Sequence, residues 1–294
     1  MSAEILDGKF FAAKWHKECA EGAAKLLAER HVVPGLGVVL VGDNPASISY
    51  VTAKERACAK DGFMSREIRL PADTTEETVV ETVRKLNEDP LIHGILVQLP
   101  LPKQIRETVV IDAISPEKDV DGFTPVNVGR MLIGQPCFLP CTPHGIIQLL
   151  VESGIETSGK HAVVIGRSNI VGKPVSNLLM RKAPGGNATV TVCHTGTKDL
   201  AGYTKTADIL IVAAGRPNTV TGDMIKPGAA VVDVGVNRVP DATAKRGYRL
   251  HGDVDFESAS KVAGWITPVP GGVGPLTIAM LMRNTLEAAQ RSCR

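Results

Sequence analysis

Residues 158–174 read SGKHAVVIGRSNIVGKP. His161–Ile165 is a short apolar, β-branched run of the kind buried on both faces of a parallel sheet. Gly166 ends it, Ser168 and Gly172 follow, and Pro174 stands where the first turn of a helix tolerates a missing N–H. A strand therefore feeds a helix N-terminus through small residues. That geometry lets backbone amides approach a dinucleotide pyrophosphate. The spacing is G-x-S-x-x-x-G and departs from G-x-G-x-x-G, so an ordinary tight strand-to-helix turn would use similar residues.

The residues after the corner distinguish between nucleotides. An NAD-binding unit places an Asp or Glu at the end of its next strand, on the ribose 2′-hydroxyl. Here the strand expected over Ala188–Cys193 runs into His194, Thr195, Gly196 and Thr197, with no carboxylate before Asp199. Arg167 stands in the corner itself. A cation and hydroxyls in place of an acid suit a 2′-phosphate, which favours NADP. Taken alone, Arg167 also reads as a solvated loop charge.

Outward from this corner the chain alternates strand and helix. Strands are expected at Gly35–Val41, Met64–Leu70, His93–Leu99, His161–Ile165, Ala188–Cys193, Ile209–Ala213 and Ala230–Val236. Amphipathic helices are expected at Lys9–Glu29, Ser47–Lys60, Thr75–Asn87 and Thr277–Gln290. Thr74 and Glu77 have capping-box spacing, with Asp73 as the competing N-cap. Repeated βαβ units imply parallel sheets flanked by helices, an α/β architecture. Residues 115–143 are rich in Pro, Gly and Asp and mark the best domain boundary. A second breaker cluster, Pro268–Pro275, precedes the final helix, which needs an apolar surface for Ile278, Leu281 and Leu286 and is expected to find it on the first domain.

Composition removes several function classes. With 294 residues the chain has room for two domains with well-buried cores. Its 33 basic and 31 acidic residues nearly balance, and no basic block is interleaved with aromatics, so nucleic-acid binding has no support. No apolar run reaches membrane-spanning length, and Glu4 and Asp7 stand where a secretory signal would be basic. The six cysteines are scattered without a CxxC pair and read as small buried hydrophobes of a reducing compartment. The expectation is a cytoplasmic protein without membrane contact or structural metal.

The first domain carries the candidates for chemistry. Tyr50 and Lys54 lie four apart on an expected helix, about 40° from one another around its axis. Such a pair could handle protons, because burial pulls a lysine pKa toward neutrality. A surface tyrosine and a snorkelling lysine would share that spacing. Gln98 interrupts an apolar strand near its C-terminal end, where open α/β sheets form crevices. Asp119 and Asp121 sit in the breaker-rich stretch, where turn chemistry and ligand binding account for them equally.

VGDNPASISYVTAK (41–54), GILVQLPLP (94–102), PEKDVDGFTPVN (116–127), PCTPHG (140–145), IGRSNIVGKP (165–174), DVGVNR (233–238) and ITPVPGGVGPLT (266–277) follow in order. Together they resemble the bifunctional methylenetetrahydrofolate dehydrogenase/methenyltetrahydrofolate cyclohydrolase family from near residue 4 to residue 290. Two blocks depart slightly, with Thr124 in place of a histidine and Leu276 in place of a methionine.

The resemblance implies an N-terminal α/β substrate domain and a Rossmann-like NADP domain with a cleft between them, and a homodimer. The corresponding boundaries are a folate-binding catalytic domain over 1–141, the NADP-binding domain over 142–271, and a C-terminal helical segment over 272–294. Lys54 resembles the catalytic lysine, with Tyr50 stacking on the pterin, Gln98 holding the amine and Asp121 binding the pterin's amino-pyrimidine edge. Pro270, Gly271 and Gly272 would bring backbone close to the tetrahydrofolate substrate. Gly166, Arg167, Ser168 and Thr195, with Val236, Gly274 and Thr277, would hold NADP. Two other readings remain: another NADP dehydrogenase of the same plan, such as a shikimate-type enzyme, and a nucleotide-binding partner protein without turnover.

Overall fold

The computed structural model describes residues 2–241, 243–244 and 247–293. Strand β1 (Glu4–Ile5) and helix α1 (Gly8–Arg30) come first, then β2 (Gly35–Val41), α2 (Pro45–Asp61), β3 (Met64–Leu70) and α3 (Glu76–Glu88). Next are β4 (Gly94–Val97), α4 (Glu107–Asp112), α5 (Pro125–Leu132), α6 (Cys141–Glu152), β5 (His161–Ile165), α7 (Gly172–Met180) and β6 (Thr189–Cys193). The chain continues through α8 (Leu200–Thr204), β7 (Ile209–Val212), β8 (Ala230–Asp233), β9 (Asn237–Pro240), β10 (Tyr248–His251), α9 (Phe256–Ala259), β11 (Trp265–Ile266) and α10 (Val273–Ser292).

Three local expectations change. The strand expected over His93–Leu99 is confined to Gly94–Val97; Gln98 still donates its amide to Val39 O at 2.9 Å, but Pro100 has no N–H to continue a ladder. The strand expected over Ala230–Val236 stops at Asp233, whose carboxylate takes the Gly235 amide and turns the chain. The cap of α3 is Thr75, accepting from Thr78 N at 3.3 Å, rather than Thr74 or Asp73.

The chain divides into two units, with breaks after Ala12, Cys141 and Thr277. The sequence reading puts breaks after 141 and 271 and none near residue 12. The difference arises because β1 is an edge strand of the large sheet, pairing parallel with β11. One unit holds the segment up to Ala12 and Thr142–Thr277, built on six parallel strands in the order β1-β11-β8-β7-β5-β6. From β5 the chain steps to β6 on one side and then to β7 and β8 on the other. The carboxyl ends of β5 and β7 therefore flank a topological switch point, where such sheets bind ligands. Val163, Leu210, Val212, Val231 and Ile266 fill one core of this unit, each at most fractionally exposed.

The other unit holds Ala13–Cys141 and the chain from Ile278 onward. Its three parallel strands run β3-β2-β4, with β2 buried along its whole length. Asp119 bridges to Ile95 and covers the free side of β4. The last helix is docked by specific contacts. Asn284 Nδ2 donates to Val120 O at 2.8 Å and Leu139 O at 3.0 Å, and Gly22 leaves room for Leu286, since a Cβ there would lie 2.6 Å from Cδ2. The half-buried His16 ring, paired with buried Asp61 at 2.5 Å, ties α1 to α2. Among the described residues no helix is long and apolar enough to cross a membrane.

Asn284→Ala removes the amide donor from Val120 O, which keeps only the weak Cys141 thiol, and from Leu139 O, so it is expected to cost about 2 kcal/mol. Calorimetry should then show Tm lowered by about 4–8 °C. An unchanged Tm would mean that these two bonds do not hold the last helix in place.

Candidate functional site: a buried lysine and a switch-point cavity

Helix α2 begins at Pro45, with Asn44 capping the Ala46 and Ser47 amides, and ends at Gly62 in the left-handed region (φ 76°). Its buried positions are Ser47, Val51, Lys54, Ala57, Cys58 and Asp61, a stripe with helical spacing. Lys54 thus occupies a core position and is only 8% exposed. Tyr50, one turn earlier, lies beside the stripe and is 49% exposed. The two side chains are neighbours on the helix with opposite relations to solvent.

The Lys54 amine donates to Gln98 Oε1 at 2.9 Å. Gln98 is itself oriented, its Nε2 donating to Leu99 O at 2.7 Å, so only the amide oxygen is left to face the amine. Burial pushes the Lys54 pKa below its ordinary value, against the opposing pull of the Asp121 carboxylate. Burial likewise raises the Asp121 pKa, with Lys54 opposing. Cys141 completes the group. Its thiol donates to Val120 O at 3.3 Å, and burial together with Asp121 holds it protonated, well above the usual thiol range.

The two aspartates of the breaker-rich stretch separate cleanly. Asp119 accepts from the amides of Gly122, Phe123 and Thr124, from Thr124 Oγ1 at 2.7 Å and from Asn127 Nδ2 at 2.9 Å. Its acceptor capacity is consumed in shaping the loop. Thr124 is also the N-cap of α5, so a hydroxyl suits this position. Asp121, half-buried in the same loop, is left facing Lys54 and Cys141.

In the other unit, Gly166 (φ 115°) brings the end of β5 against β7, where a Cβ would lie 2.3 Å from Ala213 O. Ser168 Oγ accepts the Val171 and Gly172 amides and draws the corner into the start of α7. A cavity of about 420 Å³ opens here, lined by Gly166, Arg167, Ser168, Thr195 and further residues of the β6 and β7 loops. No carboxylate is among its lining residues. Nearby, buried Asp233 accepts the amides of Gly235, Asp253 and Val254, and burial lifts its pKa to about 6. Asp253 in turn accepts from Gly215 N at 2.7 Å and Asn237 Nδ2 at 2.8 Å.

The structure therefore brings Lys54, Gln98 and Asp121 together, and separately Gly166, Arg167, Ser168 and Thr195. Val236, Gly274 and Thr277 do not line the switch-point cavity. Pro270, Gly271 and Gly272 form the turn leading into α10, where Gly271 has φ 110° and a Cβ on Gly272 would lie 2.6 Å from Pro268 O. Thr277 Oγ1 lies 2.7 Å from Thr142 Oγ1. Sequence reasoning named His194 and Thr197 after the β6 strand, where they line the cavity, but missed Cys141 as a neighbour of Asp121 and Arg216 and Thr219 as cavity residues. Position after the end of β7 was the available signal for Arg216 and Thr219. Cys141 lies in the PCTPHG block, but nothing in that block says which distant residues it faces.

A switch-point cavity on an all-parallel sheet places the chain among nucleotide-binding α/β proteins, and a desolvated amine with a carboxylate neighbour is equipment for moving protons. Two family models match the chain: the tetrahydrofolate dehydrogenase/cyclohydrolase catalytic domain over residues 6–121 and its NAD(P)-binding domain over residues 140–293. The chain belongs to the tetrahydrofolate dehydrogenase/cyclohydrolase family. It is 57% identical to the bifunctional protein FolD of Moorella thermoacetica over 291 residues, 99% of this chain and 100% of that protein. Its fold is similar to that of the Trypanosoma brucei methylenetetrahydrofolate dehydrogenase-cyclohydrolase, complexed with NADP and an inhibitor, at TM-score 0.95 and 43% identity, covering 100% and 99% of the two chains. The FolD structure from Campylobacter jejuni is similar at TM-score 0.93 and 47% identity, covering 99% of each chain.

The opposition between burial and Asp121 sets the charge state of Lys54. Removing that carboxylate in Asp121→Asn takes away the larger of the contributions that oppose burial, leaving only that of Cys141, so the amine should deprotonate at lower pH than in the parent protein. An NMR titration of the Lys54 amine reads this directly. A shift to higher pH, or none, would separate the two groups.

Proposed function

We propose that the protein catalyses two consecutive steps of one-carbon folate metabolism: NADP-dependent oxidation of 5,10-methylenetetrahydrofolate to 5,10-methenyltetrahydrofolate, then hydrolysis to 10-formyltetrahydrofolate. The observation that carries this reading is the buried Lys54 amine, held by Gln98 beside Asp121, in a chain of this family.

The switch-point cavity suits NADP. Its corner permits close backbone approach, it lacks the carboxylate that a free ribose 2′-hydroxyl would require, and Arg167 has no hydrogen-bond or ion-pair partner among the described residues. When bound, the nicotinamide accepts a hydride from the one-carbon bridge. Arg167 would grip the 2′-phosphate, Gly166 would present its backbone, and Thr195 would add a hydroxyl. Ser168 Oγ already accepts two amides, so its remaining contribution to a phosphate is its own O–H. Val236, Gly274 and Thr277 for the nucleotide, and Pro270, Gly271 and Gly272 for the substrate, belong to the same proposal on the strength of their motifs.

Tyr50 offers an exposed ring to the flat pterin. Asp121 would accept from the amino-pyrimidine edge, which fixes the reacting carbon. Water addition to the methenyl carbon releases a proton, and opening of the ring requires one at the departing nitrogen. Lys54, with its pKa lowered, can take the first and return the second, while Gln98 keeps the amine aimed. Hydride transfer needs alignment more than proton transfer. Six free cysteines support a reducing, cytoplasmic location, and the motif resemblance supports a homodimer.

An assay of methylenetetrahydrofolate with NADP and with NAD, following nucleotide reduction and methenyl absorbance, tests the whole reading. Lys54→Met keeps the apolar stem and removes the amine. Its hydrolysis should fall by about a hundredfold to ten-thousandfold, and dehydrogenation by less, so that methenyltetrahydrofolate accumulates. Retained hydrolysis in the folded variant would move the proton carrier elsewhere, with Tyr50 the first suspect.

A further inference from the structure

Arg216 lies on the loop that follows β7 and lines the same cavity as Arg167. Its backbone is fixed on both sides. The preceding amide, Gly215 N, donates to the buried Asp253 carboxylate at 2.7 Å, and Arg216 O accepts from Thr219 Oγ1 at 2.8 Å. Neither hold involves the guanidinium. That group is exposed and has no hydrogen-bond, ion-pair or ring partner among the described residues. By contrast, Arg66, Arg69, Arg106 and Arg249 each sit against a carboxylate. The cavity thus has two unneutralised guanidiniums, several hydroxyls and no acid on its lining.

The geometry points to Arg216 as a second cation for the 2′-phosphate of the bound dinucleotide, acting across the cavity from the β5 corner that carries Arg167. The inference rests on the nucleotide assignment made above and extends it to a residue outside the motif. In this fold the pyrophosphate lies at the helix N-terminus after β5, where Gly166 and Ser168 are. The adenosine ribose lies toward the end of the next strand, which here carries His194, Thr195 and Thr197. In the sheet order β7-β5-β6, loops 194–197 and 213–219 flank the corner from its two sides. A dianionic phosphate between them would meet one guanidinium from the corner and one from the β7 loop. Charge-assisted contacts of this kind are strong and geometrically selective.

Isothermal titration of the full chain with 2′,5′-ADP, 5′-AMP, NADP and NAD tests the assignment, using the parent protein, Arg167→Ala and Arg216→Gln. Arg216→Gln should weaken 2′,5′-ADP and NADP about tenfold, with a smaller effect at high salt, and change 5′-AMP and NAD little. Arg216→Lys should keep part of the preference. Equal weakening of all four ligands would place Arg216 on the pyrophosphate or the adenine and overturn the inference. No weakening of any would make it a solvated loop charge and overturn it as well. If Arg167→Ala loses discrimination while Arg216→Gln retains it, this inference fails and the nucleotide assignment stands. A parent protein that binds 2′,5′-ADP no better than 5′-AMP overturns both.

Discussion

Keeping water away from one amine is the constraint around which the Lys54 unit is arranged. A buried ammonium loses several kcal/mol of hydration, and no single neighbour restores it. The compensation comes from distant parts of the chain: an amide oxygen past the end of β4, a carboxylate from the loop before α5, and a thiol at the start of α6. Each of these is held by something else. Gln98 is locked by Leu99 O, and the Val120–Cys141 region is clamped by Asn284 of the last helix. The amine is therefore desolvated enough to give up a proton and still has partners that keep it in place.

The two units use carboxylates in the same way. Asp119 spends its oxygens on backbone amides, a hydroxyl and a side-chain amide, which leaves Asp121 available in the loop so formed. Asp253 spends its own on Gly215 and Asn237 and thereby fixes the loop that bears Arg216. In both cases a buried carboxylate whose two oxygens are each bonded within the fold builds the support for a neighbour that keeps its capacity. Buried carboxylates that look alike in sequence thus have opposite functions, and only the count of their hydrogen bonds separates them.

This limits what the chain reveals without coordinates. Buried parallel strands such as Gly35–Val41 and His161–Ile165 are legible because continuous β-branched runs between breakers have few alternatives. Their ends are less so: β4 stops at Val97 because of a proline three residues on, and β8 stops because of its own aspartate. The placement of residues before Ala12 depends on a pairing with β11 that no local pattern announces. At the site, helical spacing put Tyr50 and Lys54 together but not on opposite sides of the solvent boundary. The Lys54–Gln98 bond spans 44 positions and needed the motif resemblance to be expected at all. Arg216 has neither periodicity nor motif to mark it, and Cys141, though inside the PCTPHG block, has no role attached to it there; what singles them out is the neighbour each faces or lacks.

The burial of Asp233 also ties the folding of its unit to acidity. Its carboxyl ionises near 6 in the folded unit and about 4 in an open chain, even though three amides favour the charged form. Between those values the native unit retains a proton that the unfolded chain has released, so folding there consumes one from the buffer. The stability linked to this proton is complete below about pH 4 and is lost as pH rises through 6, by up to about 3 kcal/mol. At neutral pH, then, the strand end beside the switch point carries a buried charge at a cost in stability, and the loops around it stay in place because that charge still gathers their amides.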